Sequence, residues 1–165
     1  MSQGDRYLEF AARAGAGQKL LDSSYRAAFY LLSYDAELAS VAIKHISLDG
    51  IDFAAIKRQT KGFDETSRHV IDIAHNLFSY NSKCKATPFE MSRLGYPFME
   101  QVCNAIYIAG DQYDVALDVN EENQVTLCLD KSSYEQTIQL HKQLDEMYAK
   151  MLAAQEVADD EVIER

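Results

Sequence analysis

Four histidines are the side chains of this 165-residue chain best suited to proton transfer near neutral pH or to holding a metal ion. They are His45, His69, His75 and His141, spread over three predicted helices with no HExxH or HxxxH spacing. His69, Asp72 and His75 lie closest together and form the candidate catalytic set, since an imidazole beside a carboxylate is the usual equipment for general acid-base work. On a helix His69 and His75 point about 120° apart, so they do not converge on one ion. A di-metal site in a bundle needs carboxylate-x-x-His steps on two helices and two further carboxylates, whereas Asp72 to His75 is a lone step. The reading is therefore no metal and no cofactor.

Other chemistry-bearing patterns fail on spacing. Gly15-Ala16-Gly17-Gln18-Lys19 lacks the Gly-Lys-Ser/Thr ending of a phosphate loop and reads as a turn. There is no GxSxG. Cys84, Cys103 and Cys128 are odd in number and too widely spaced for a zinc knuckle or a closed disulfide framework. Reduced thiols are expected, with Cys103 and Cys128 packed as small hydrophobes.

Charge excludes more. The net of -10 is distributed as -1 over residues 1–43, +2 over 44–93 and -11 over 94–165. Such a field repels phosphate backbones and anionic headgroups, so direct nucleic-acid binding and membrane binding are not expected. No apolar stretch reaches the roughly 20 residues of a bilayer span. MSQGDRYLEF carries acids and lacks a basic start followed by an apolar run, so no signal peptide is expected and the predicted location is cytoplasmic.

The elements follow from period and caps. Helices are predicted from Ser2 with Asp5 as cap partner, after Asp22, after Asp35, over Phe53 to Gln59 and over Glu65 to Tyr80. Thr87-Pro88-Phe89-Glu90 is a capping box with proline at the first helical position. Gly95 then divides that short helix from one over about 97 to 109, expected to bury Met99, Val102, Cys103 and Ile106. The period changes to two at Tyr113, Val115, Leu117 and Val119 and again at Val125, Leu127 and Leu129, a β-hairpin over about 113–129. Its apolar face must lie on a helix or on a second copy, because two strands alone are marginal in water. A last helix over 133–155 carries the stripe Ile138, Leu140, Leu144, Met147, Met151 and Ala154, and is expected to act as the spine of the body.

Helix, turn, helix and hairpin over 88–129 is also the order of a winged helix, yet residues 87–130 hold Arg93 as their single basic residue and a net of -7. A winged shape there would serve protein contact rather than DNA.

The block Tyr25-Arg26-Ala27-Ala28-Phe29-Tyr30-Leu31-Leu32, with Gln59-Thr60, Gly62, Arg68 and Asn76-Leu77-Phe78, resembles a family of small uncharacterised helical proteins of Gram-positive bacteria and their mobile elements. The resemblance covers about half the chain. It implies a helical fold and a prokaryotic cytosolic setting, and no activity.

The sequence thus predicts a mainly α domain over 1–155, a bundle of six to eight helices with one hairpin before a long C-terminal helix, and an acidic frayed tail over 156–165. The expected function is a non-enzymatic interaction or regulatory module. Its acidic helix-and-hairpin surface, with Asp111, Asp114, Asp118, Glu121 and Glu122, would dock a basic protein, or the chain would pair with a second copy. The alternatives are an acidic mimic that inhibits a nucleic-acid-binding protein, and an enzyme using the histidine and carboxylate of helix 65–80.

Overall fold

Side-chain caps set where most of the helices begin. In the computed structural model, which describes residues 1–163, Ser2 caps α1 (Gln3–Arg13) and Asp22 caps α2 (Ser23–Leu32). Asp35 caps α3 (Ala36–Ala42), Asp52 caps α4 (Phe53–Gln59) and Asp64 caps α5 (Glu65–Phe78). Thr87 caps α6 (Pro88–Ser92), and its capping box with Glu90 is formed as the sequence predicts. Each oxygen accepts from one of the amides that a first helical turn leaves without a partner. α7 (Phe98–Ala109) follows Gly95, whose positive φ of 69° turns the chain between the two helices. The fold is mainly α, as expected.

α2 forms the centre of the unit Met1–Asp130. Ala27 through Leu32 are all buried, so the C-terminal six residues of this helix are walled on every side. α5 and α7 pack along it, and α1 lies across it. Phe29, with no exposed surface, meets Tyr7 and Phe10 of α1 at ring-centroid distances of 6.1 and 5.7 Å and Tyr25 at 5.6 Å. Side chains of α1 also close the C-terminal end of α2. Gln3 donates to the Tyr30 carbonyl at 3.1 Å, and the Arg6 guanidinium donates to the carbonyls of Ser33 and Tyr34 at 2.7 and 2.8 Å. Those carbonyls would otherwise lie beyond the reach of the helix's own amides.

Two antiparallel hairpins complete this unit. The expected one is β3 (Asp114–Val119) with β4 (Val125–Asp130), in register Val115 to Leu129, Leu117 to Leu127 and Val119 to Val125. Its apolar face is covered by a helix: β4 packs on α1, and Val115, Leu117, Leu127 and Leu129 join the core margin. The second hairpin, β1 (Ile46–Ser47) with β2 (Gly50–Ile51), is two residues per strand, too short to show alternation in the sequence.

Three expectations of burial need correction. α7 buries Val102, Ala105 and Ile108, while Met99 and Ile106 are exposed and Cys103 is half-buried. Its apolar residues are too many for one face, so period alone does not fix the rotation. Cys128 is exposed: it faces Ala116 in the ladder, on the opposite side of β4 from Leu127 and Leu129. The third concerns α8 (Ser132–Ile163), in the unit beginning at Lys131. None of its residues is buried, so it is no core spine. Helical backbone continues through 156–163, where the sequence reads as a fraying tail.

α1 and β4 approach closely at Gly4. A Cβ there would fall 2.5 Å from the Val125 carbonyl oxygen, a backbone atom that has no freedom to move aside, whereas one at Gly62 would meet nothing within 4 Å. The Ser2 hydroxyl donates to the same carbonyl. Gly4→Ala should therefore destabilise the protein by about 1–3 kcal/mol, read as a lowered urea midpoint, with Gly62→Ala close to neutral. Equal midpoints for the two variants would show that the α1 to β4 contact is loose.

Candidate functional site

The candidate acid-base residues sit on α5, where α4 engages Asp72 and His75. Asp72 is ion-paired with Lys57 of α4 at 2.7 Å, and its side chain is largely buried. The carboxylate is thus matched by an ammonium from a neighbouring helix. His75 lies flat on Phe53, the first residue of α4, with ring centroids 4.5 Å apart and planes at 15°. Its Nδ1 is buried without a protein partner. Burial, with the nearby Lys57 charge, pulls the His75 pKa below the usual imidazole range, against a smaller upward pull from Asp72.

His69 lies elsewhere on the helix. It lines a shallow open hollow of about 310 Å³ with Lys57, Lys61, Arg68, Asp72 and Lys85, and His75 is not in that lining. The structure therefore brings His69 and Asp72 to one hollow, with the carboxylate held by Lys57, and sets His75 apart on the Phe53 ring. Among the described residues, no three His, Cys, Asp or Glu side chains come together in a way that could hold a metal ion. No described helix is long and apolar enough to cross a membrane.

The five hairpin-region acids divide into two groups. Asp111 and Asp114 reach Arg26 of α2 at 3.1 and 3.4 Å, so their charge is partly offset by the body. Asp118 is exposed on β3, and Glu121 and Glu122 are exposed in the turn that follows it. In that turn the Asn120 side-chain oxygen accepts from the amides of Glu122 and Gln124 at 3.0 and 2.8 Å, and Asn123 adopts a positive φ of 59°. Three carboxylates therefore project from a well-defined tip.

The largest departure from a closed surface is α8. Leu140, Leu144, Met147, Tyr148, Met151, Leu152, Val157 and Val162 are all exposed, Leu144 at 41% and Met151 at 64%. The sequence shows the stripe plainly but not its exposure, because an amphipathic pattern announces that a face needs cover without saying what supplies it. No family model, no curated protein and no solved structure matches the chain.

The stacking of His75 has a consequence for acid stability. The folded chain disfavours the imidazolium, so the unfolded chain binds more protons as pH falls through the ordinary histidine range, and stability falls with it. Between about pH 7 and pH 5 the urea midpoint should decline. His75→Phe, which keeps an aromatic ring on Phe53 and removes the titration, should flatten that decline. A decline of the same steepness in the variant would assign it to other groups.

Proposed function

We propose that this chain is a non-enzymatic protein-interaction module that acts through α8. The observation that carries this reading is a helix of 32 residues in which none is buried and a row of large apolar side chains is exposed. Helices draw most of their stability from packing an apolar face, and a contiguous exposed apolar surface marks a contact site. The partner surface that fits is itself apolar and elongated, because the stripe runs from Leu140 to Met151 and on through Ala154 and Ala158. Acids occupy the face of the helix away from the stripe. Asp145, Glu146, Glu156, Asp159 and Asp160 fall away from it around the helix, where they keep the exposed element soluble and repel acidic competitors.

The hairpin acids support a lesser role. With Asp111 and Asp114 engaged by Arg26, the charge left for a basic partner is Asp118, Glu121 and Glu122 at the tip. Rim charges of this kind set association rate and salt dependence more than affinity. No comparable support exists for an acid-base site on α5, where Lys57 already holds Asp72.

A photo-crosslinking residue tests the reading in living cells. p-Benzoylphenylalanine in place of Leu144 should give a protein adduct on irradiation, and the same residue in place of Lys61, on the hollow of the body, should not. Equal adduct yields at the two positions, or none at Leu144, would overturn α8 as the contact element.

A further inference from the structure

We propose that the occupant of the α8 stripe is α8 of a second copy of this chain, lying antiparallel to it. This rests on α8 being the contact element. It goes further by naming the partner and its direction.

The spacing of α8 carries the inference. Thr137, Leu140, Leu144, Met147, Met151, Ala154, Ala158 and Glu161 recur at alternating steps of three and four, which is the seam of a two-helix coiled coil sustained over 25 residues. The apolar members stand between Thr137 and Glu161, so the seam is bounded by a polar residue at each end. The positions flanking it hold His141, Gln143, Tyr148, Lys150, Gln155, Val157 and Val162, among which Lys150 is the single full charge. Glu135, Asp145, Glu146, Glu156, Asp159 and Asp160 all fall on the outer positions. Apart from Glu161 at its C-terminal end, a second copy can therefore approach the seam without bringing carboxylates together. This matters in a chain of net charge -10, because self-association must overcome its own field. A partner docking by charge would meet the acids on the outer face, with the apolar seam left bare.

Direction follows from where the acids lie along the helix. Glu156, Asp159, Asp160 and Glu161 crowd into the last turns, against a single acid, Glu135, and one cation, Lys142, in the first eleven residues. Parallel pairing would stack both acidic ends side by side, together with the two negative ends of the helix dipoles. Antiparallel pairing places the acidic ends at opposite ends of the pair and sets each C-terminal dipole end beside an N-terminal one. Volume agrees. Parallel pairing would face Ala154 with Ala154 and Ala158 with Ala158, leaving thin layers, whereas reversal about Met147 and Met151 sets Ala154 against Leu144 and Ala158 against Leu140, small against large.

Sedimentation equilibrium of the purified full chain between about 5 and 200 µM tests the pairing by mass action. The expected mass rises from 18.6 kDa toward twice that value. Leu144→Glu with Met151→Glu should hold the protein at monomer mass. Leu152→Glu, an equally exposed apolar residue off the seam, should leave the dimer intact. Because none of these residues is buried, the body should melt unchanged in both variants, and circular dichroism confirms that each is folded. A spin label carried on an unnatural keto side chain at position 160 avoids the native cysteines and reads direction. Labels more than about 30 Å apart are expected, since reversal carries them to opposite ends of the pair. Monomer mass throughout, or loss of the dimer in Leu152→Glu alone, would overturn self-pairing. Labels within about 20 Å would overturn the antiparallel arrangement. If the purified chain is monomeric while the Leu144 crosslink in cells gives a heterologous adduct, self-pairing fails and α8 remains the contact element. If that crosslink is absent as well, both fail together.

Discussion

The unit Met1–Asp130 is organised by the need to surround the C-terminal part of one helix completely. Six consecutive residues of α2, from Ala27 to Leu32, are buried, and a stretch walled on all sides has no face to turn toward water. α1, α5 and α7 supply the walls, Phe29 meets the rings of Tyr7 and Phe10, and Gln3 and Arg6 satisfy the carbonyls at the far end. The hairpin of β3 and β4 in turn closes on α1 at Gly4. What α2 requires is thus found before Lys131. The apolar stripe of α8 is, in that sense, surplus to this core, and a surplus apolar stripe on a 32-residue helix is the physical basis for reading the protein as an association module.

Charge is partitioned in the same way. The region of positive balance, residues 44–93, places Lys57, Lys61, Arg68 and Lys85 around one hollow and uses Lys57 to neutralise Asp72. The acidity of residues 94–165 is mostly on the hairpin tip and on the outer face of α8, with Arg26 taking up Asp111 and Asp114. The carboxylates on the outer face of α8 are placed to keep an exposed apolar helix in solution.

Element starts were legible because they are written in single residues with a local mechanism: Ser2 with Asp5, Asp35, and the Thr87 and Glu90 box. The β3 to β4 hairpin was legible because six-residue strands are long enough to alternate. The two-residue strands at Ile46 and Gly50 are not. Which face of α7 is buried was illegible, since Met99, Val102, Ile106 and Ile108 offer more than one apolar face and only the placement of α2 selects Val102 and Ile108. Cys128 stands on the face opposite Val125, Leu127 and Leu129, so its exposure follows from the same period that marks the hairpin, and its apolar character alone is a poor guide to burial. At the candidate site the sequence brought His69, Asp72 and His75 together on one helix, but the residues that decide their chemistry, Lys57 and Phe53, belong to α4 and are set by tertiary packing. The α8 stripe could be read in full, and its exposure could not.

Hydrogen exchange along α8 in the intact protein tests the association account most directly. A lone helix opens readily, so amides from Leu140 to Ala158 gain protection only when the stripe is covered. The account predicts slow exchange across this segment that becomes slower as protein concentration rises, while amides of α2 exchange at a rate independent of concentration. Fast exchange of residues 140–158 at every concentration would contradict it.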